Sequence, residues 1–342
     1  MTRRIYKFGG RVPEDLAASS ADVARLTRPQ REQRVQRLVG HAGDMLDQAL
    51  DLAAWHGSGA TPRLAKPREV AGVLALFSGG NDSTTLAHLF RDRVTGFAHA
   101  NTTVGLEATR EYVRATSSLW GVPLLERSSP KSWEDSYAAL VRERGFPGPG
   151  QHYKMFQRLK EHALYAISRE IVTNGNRQRV VFVAGRRREE SRRRADVPEL
   201  ERRDSIMWVS PLVAWTKMDL NTYRLMCGDV PVNEVADLLH MSGECLCGAF
   251  AQAGELEMVL QWFASDPGIE VIRELEDELA AREDIPPMRR KWGWGAYVKD
   301  PQALMARSRM GALCGCVSRL EPADDTREAA DFGTARQPGR SY

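Results

Sequence analysis

The stretch Leu74-Ala75-Leu76-Phe77-Ser78-Gly79-Gly80-Asn81-Asp82-Ser83 decides how this chain folds. An apolar run ends in Ser-Gly-Gly, and an amphipathic segment follows at once from Thr84 to Arg93. The pattern predicts a buried strand, a tight glycine turn and a helix start. Two adjacent glycines let the backbone approach a ligand with no Cβ in the way. Asp82 or Ser83 is placed to cap the helix. The N–H groups at a helix N-terminus, with the dipole behind them, suit an anion such as phosphate. No Gly-Lys-Ser/Thr follows, so this is not a Walker A loop, and the Gly-x-Gly-x-x-Gly dinucleotide spacing is absent.

Outward from this corner, strands and helices alternate. Strands are expected at 72–77, 94–98, 123–126, 180–184 and 206–209, and helices at 83–93, 106–120 and 151–173. The run Val180-Val-Phe-Val-Ala184 is continuously apolar, as in a central strand buried on both faces. Such alternation predicts an α/β fold with a parallel sheet covered by helices on both faces. In such folds ligands sit at the carboxyl ends of the strands, where Ser78-Gly79-Gly80 falls. Residues 1–70 read as a helical N-terminal extension, with apolar positions at helical spacing from Val35 to Leu52. This extension is expected to pack on the main domain at 71–215. Residues 216–320 read as a mostly helical C-terminal region, with a long helix at 255–282 interrupted at Asp266-Pro-Gly268. Residues 321–342 are rich in Asp, Arg, Gly and Pro and read as a disordered tail.

The composition is that of an ordinary globular protein: 342 residues, 42% hydrophobic, 27% charged, net charge +3. No apolar run approaches the roughly 20 residues of a membrane span. The basic start Met1-Thr-Arg-Arg has no apolar core after it, so a cytoplasmic location is expected. The five cysteines are therefore expected to be reduced. Four form two Cys-x-Cys pairs, Cys245/Cys247 and Cys314/Cys316, flanked by glycines. Four thiolates suit zinc or an iron–sulfur cluster, and the spacing leaves both open. Cys227 stands alone and reads as packing.

Several motifs carry a family resemblance. Ser78-Gly79-Gly80-x-Asp82-Ser83 resembles the PP-loop of the ATP pyrophosphatases, which grips the pyrophosphate of an adenine nucleotide. Asn101-Thr102-Thr103-Val-Gly-Leu106-Glu107-Ala108-Thr109 resembles the Asp-Thr-Gly-x-x-Phe-x-Glu-Thr stretch of the phosphoadenosine-phosphosulfate (PAPS) reductase family, with Thr103 in place of the glycine. Gly185, Arg187, Glu190, Ser191 and Arg194 fill every fixed position of that family's Gly-x-Arg-x-x-Glu-Ser-x-x-Arg. Pro211-Leu212-x-x-Trp215-Thr216-x-x-Asp219 resembles a fourth block, and Met155 stands where many members carry a cysteine. The four blocks, in the family's order, cover roughly 73–247.

The resemblance implies an adenine-nucleotide alpha-hydrolase-like, Rossmann-like fold and an enzyme that binds ATP or a PAPS-like nucleotide, with Mg2+. It implies that Ser78, Gly79, Gly80, Asp82 and Ser83 hold the pyrophosphate, and that Asn101 and Thr102 face the nucleoside. Gly185, Arg187, Glu190 and Ser191 would complete the nucleotide site. Asp82, Arg187 and Arg194 would act on the reacting phosphates, since arginine forks suit such oxygens bidentately. Adenylation of an acceptor with pyrophosphate release is the first reading, in sulfur transfer or nucleic-acid modification, with nucleic acid or a sulfur-donor protein as partner. Thiol-dependent PAPS reduction is the second. Members doing that carry Glu-Cys-Gly-Leu-His; Glu244-Cys245 begins that way, but Leu-Cys-Gly follows. A third reading is a non-catalytic nucleic-acid-binding or assembly protein, for which six arginines in 185–194 would suit a phosphate backbone.

Overall fold

In the computed structural model, residues 5–8, 12–57, 63–129, 136–191 and 194–297 are described. Cys314, Cys316 and the tail expected at 321–342 lie outside them. In chain order the elements begin with β1 (Ile5–Phe8), α1 (Ser20–Arg25), α2 (Arg28–Trp55), β2 (Glu69–Leu76), α3 (Asn81–Phe90), β3 (Gly96–Ala100) and α4 (Glu107–Leu119). Then come β4 (Leu124–Arg127), α5 (Tyr137–Arg144), α6 (His152–Phe156) and α7 (His162–Ile171), the last two joined by a π-helical turn at Gln157–Glu161. β5 (Gln178–Val183), β6 (Leu200–Arg203) and β7 (Ile206–Val209) precede α8 (Lys217–Cys227), α9 (Glu234–Leu239), α10 (Glu255–Phe263) and α11 (Pro267–Ala280).

The strands form one sheet in the order β1-β6-β7-β5-β2-β3-β4. β7, β5, β2, β3 and β4 run parallel. β6 is antiparallel to β7, and β1 is antiparallel to β6. The sheet is thus mixed at one edge rather than parallel throughout. The chain moves from β2 outward through β3 and β4, then returns to place β5 on β2's other side. β2 and β5 therefore flank the point where strand order reverses, the crevice that open α/β sheets offer to ligands.

Side-chain alternation explains why both faces need cover. Val181 and Val183 of β5 join a core with α2, α3 and α8, whereas Val180 and Phe182 join a core with Leu164 and Ile167 of α7. A third core packs α5, α9 and α11 around Val104 and Leu106, just after β3. Met155, where the family resemblance would place a cysteine, is a buried member of it.

The N-terminal segment is part of this architecture. It is helical over α1 and α2, but Ile5–Phe8 is an edge strand, which the helical reading of 1–70 did not foresee. Val35, Leu38, Ala42, Met45, Leu46 and Ala49 of α2 share a core with the sheet. Arg34 of α2 pairs with Asp219, both almost fully buried, with Nε 3.0 Å from Oδ1. Asp219 in turn accepts from the N–H and hydroxyl of Thr216, which caps α8. The Trp-Thr-x-x-Asp block is thus a helix cap that anchors α2.

The helix expected over 255–282 is two helices, broken where Asp266 caps α11 and Pro267 opens it. Among the described residues, no helix is long and apolar enough to cross a membrane.

Candidate nucleotide site

The turn after β2 forms from its own polar groups. The Ser78 N–H donates to Ser83 Oγ at 3.2 Å, and Ser83 Oγ donates to the Gly80 carbonyl at 2.9 Å. α3 starts at Asn81 with Gly80 as its N-cap, and no side chain caps it. Asp82 and Ser83 lie within the first turn instead of capping it. The helix N-terminus is left to an external acceptor.

Gly79 has a φ of +76°, and a Cβ there would lie 2.7 Å from Thr109 Cγ2. The second wall of the loop comes from far along the chain. Asn233 Nδ2 donates to the Gly79 carbonyl at 2.8 Å, and Ser242 abuts Gly80. Thr109 Oγ1 donates to the Ser242 carbonyl at 2.6 Å, closing α4 onto the same wall. Asn233, Thr109 and Ser242 therefore belong to the site, although the sequence offers only isolated polar residues at 233 and 242.

The segment after β5 meets the loop at the crevice. Gly185 packs against the start of α3; a Cβ there would lie 3.3 Å from the Asp82 carbonyl oxygen. The buried Arg187 donates from Nε to Asp82 Oδ2 at 2.7 Å. Arg194 pairs with Glu190. Burial pushes the Glu190 carboxyl up, partly offset by the Arg194 charge. Lys217, at the start of α8, is the further cation here: burial lowers its pKa, while Asp82 works the other way. Arg224, two turns further along α8 on the same face, donates to Asn81 Oδ1 at 3.2 Å. The structure thus brings Ser78, Gly79, Gly80, Asp82, Ser83, Gly185, Arg187, Glu190 and Arg194 together and adds Lys217 and Arg224. Ser191 follows Glu190 in the same turn, and its carbonyl accepts from the Arg194 N–H at 2.9 Å.

Not every expected residue faces this crevice. Thr102 is fully buried, with its N–H on Glu244 Oε1 at 2.9 Å and its hydroxyl on the Glu244 carbonyl. That engagement removes it from the nucleoside-facing role expected of it. Asn101 is half-buried and donates to Glu126 Oε1 at 2.8 Å, while its Oδ1 accepts from the Thr103 N–H. Its side chain is therefore held by protein partners on both ends. Glu244 also lies 3.1 Å from His99 Nε2, out of line for a hydrogen bond. Burial pulls the His99 imidazole down, but the Glu244 carboxylate and the Phe77 carbonyl, 2.7 Å from Nδ1, outweigh it and raise its pKa.

This anchor delivers Cys245 and Cys247 to the β3 side of the crevice. A hydrogen bond from Cys247 lowers the Cys245 thiol to about 7 against burial, while Cys247 is pushed up. The nearby Lys160 charge also helps to lower Cys245. Among the described residues, no third histidine, cysteine or acidic ligand joins this pair. A four-sulfur site there would need Cys314 and Cys316.

Residues 72–238 match the family model of the phosphoadenosine phosphosulfate reductase domain. Over that segment the chain is similar to the PAPS reductase domain, in line with the resemblance carried by its motifs. Residues 78–83 and 185–194, which carry the family resemblance, both lie within the matched segment. No curated protein matches the chain. Among solved structures, the phosphate complex of PAPS reductase from Candida auris is 16% identical, covering 48% of this chain and 77% of that one, with a TM-score of 0.37. The Candida glabrata FMN adenylyltransferase, in complex with FAD and inorganic pyrophosphate, is 11% identical, covering 66% and 67%, with a TM-score of 0.42. The U34-tRNA thiolase NcsA from Methanococcus maripaludis, with its 4Fe-4S cluster, is 11% identical, covering 73% and 81%, with a TM-score of 0.29. At such scores these are distant likenesses that assign no reaction to this chain.

Proposed function

We propose that the PP-loop binds ATP or a related adenine nucleotide and that the enzyme adenylates an acceptor with release of pyrophosphate. The observation that carries this reading is the uncapped helix start at Asn81, with Arg187 on Asp82, Arg224 on Asn81, and Lys217 and the Arg194–Glu190 pair in electrostatic reach of Asp82. The N–H groups would take the β- and γ-phosphates. An acceptor oxygen would attack the α-phosphorus as the bond to the bridging oxygen breaks, so that AMP is transferred and pyrophosphate leaves. Arg187 and Arg194 would bind the charge gathering on the leaving oxygens. Each is held by a carboxylate, Asp82 or Glu190, and so is already oriented before nucleotide arrives.

Asp82 also fits a magnesium ion. Mg2+ in nucleotide sites takes one or two carboxylates plus phosphate oxygens, and the ion neutralises phosphate charge when bound. On this reading Asp82 is partly exposed at the loop's mouth and shares its charge between Arg187 and the ion. Cys245 and Cys247 would supply two thiolates of a zinc or iron–sulfur site completed by Cys314 and Cys316. Nucleic acid or a sulfur-donor protein would be the acceptor's source.

One observation favours thiol-dependent PAPS reduction as the second reading. Cys245 follows a glutamate docked on Thr102, and its thiol is lowered to about 7. In that case the thiolate would attack the sulfur of PAPS and expel the adenosine bisphosphate. Assays run side by side separate the two: pyrophosphate release from ATP with candidate acceptors, and adenosine bisphosphate release from PAPS with a dithiol reductant. Product from PAPS alone would overturn the first reading.

A further inference from the structure

A second cluster of ligating groups lies away from the PP-loop. His88 stands in the last turn of α3, about 10 Å along the helix from Asn81 at 1.5 Å per residue. Its Nδ1 is 2.8 Å from the Tyr223 hydroxyl, and its Nε2 is 3.0 Å from Asp229 Oδ1. Cys227 ends α8. Gly228 then takes a φ of +74°, the left-handed turn that sends Asp229 back beside it. A ring nitrogen of His88, the Cys227 sulfur and an Asp229 oxygen all lie within 4.8 Å of one another. Among the described residues, no other three histidine, cysteine or acidic groups are gathered in this way.

The donor set points to one class of ligand. Magnesium and calcium take oxygen ligands, whereas nitrogen, thiolate and carboxylate together suit zinc and its neighbours. A ligating histidine is ordinarily fixed through its other ring nitrogen, and Tyr223 does that here. His88 is buried, whereas Cys227 and Asp229 are exposed, so the cluster opens to solvent. Arg91 lies 3.5 Å from Asp229 Oδ2 and leaves Oδ1 turned toward His88.

We propose that His88, Cys227 and Asp229 bind a divalent transition-metal ion of the zinc type, with a fourth position open to water. Binding displaces the Cys227 thiol proton to solvent. The ion ties the end of α3 to the turn between α8 and α9. Asp229 is four residues before Asn233, the residue that holds the Gly79 carbonyl. The ion therefore braces the far wall of the PP-loop without touching nucleotide.

The test is an anaerobic titration of the full chain with Co2+, read by the sulfur-to-cobalt charge-transfer band and by ions bound per chain. Cys227→Ser should lower the count by one and remove the part of the band that belongs to this ion. Asp229→Asn should weaken the same ion at least tenfold. Cys227 is exposed, so the metal-free melting temperature should not move in Cys227→Ser. Cys245→Ser should leave this ion in place. Added Zn2+ should raise the melting temperature of the wild type more than that of Cys227→Ser. The same count and the same spectrum in wild type and Cys227→Ser would overturn the proposal.

Discussion

Arg187 Nε lies 2.7 Å from Asp82 Oδ2, joining the segment after β5 to the helix that follows β2. The guanidinium is almost fully buried, while the carboxylate reaches the mouth of the loop. Two motifs more than a hundred residues apart thus make one electrostatic unit. Breaking a buried pair from one side leaves the other charge uncompensated.

Arg187→Ala is expected to cut turnover by about 10- to 100-fold, since a charge-assisted hydrogen bond contributes about 1.5–3 kcal/mol. Arg193→Ala, off the fixed motif positions, is expected to change it little. Steady-state kinetics of the two variants decide the matter. Equal losses would mean that the arginine run acts as a diffuse basic patch, and binding would then fall steeply with salt.

The Arg34–Asp219 pair is expected to hold α2 on the domain. Asp219→Ala should destabilise the protein by about 3–5 kcal/mol, because it strands the Arg34 charge and removes the carboxylate's half of the α8 capping box. Denaturant unfolding measures this. A loss below about 1 kcal/mol would show that α2 is held by its apolar face alone.

Burial raises the Glu255 carboxyl from 4.5 to about 7, with one oxygen accepting from the Gln252 N–H and the other without a partner. A raised carboxyl favours the protonated folded state. Its contribution is fully present below pH 4.5 and is lost as pH rises through about 7. A shift of this size corresponds to roughly 3 kcal/mol. Glu255→Gln should therefore gain stability over wild type between pH 5 and pH 8. Parallel pH profiles in urea melts would contradict the assignment.

Thr103 takes a φ of +66° at the position where the family carries glycine. The left-handed conformation costs a branched residue about 1–2 kcal/mol, against about 0.4–1 kcal/mol of extra freedom that glycine adds to the unfolded chain. Thr103→Gly should thus be neutral or stabilising by up to about 1 kcal/mol in denaturant melts. A clear loss would show that the contact from the Tyr137 N–H to Thr103 Oγ1, at 3.4 Å, matters more than the strain.

The parallel core was legible because β2 and β5 are buried on both faces and so read as apolar runs between glycines. The edge was not. Glu201 and Arg202 of β6 are buried charges, satisfied by Arg203 and by the Gly57 carbonyl, so the strand reads as polar chain. β1 is four residues long and has meaning only as the partner of β6. In the site, the two glycines of 78–80 read as room for a ligand, and the turn they make adds a second demand. Gly79 also makes a left-handed turn pressed against Thr109. Asn233 and Ser242 carry no local pattern, because their role exists only once the chain folds back over the loop. Thr102 matched its motif position, yet it turns inward to Glu244, a partner 142 residues away.

The central claim is that residues 78–83 hold the phosphates of an adenine nucleotide. Calorimetric titration of ATP, and separately of adenosine 3',5'-bisphosphate, into wild type and Asp82→Ala tests it most directly, with melting curves to establish that both are folded. Wild type is expected to bind at least one nucleotide, and Asp82→Ala to lose at least about tenfold, equal to about 1.4 kcal/mol. A folded wild type that binds neither nucleotide, or an Asp82→Ala variant with unchanged affinity, would contradict it.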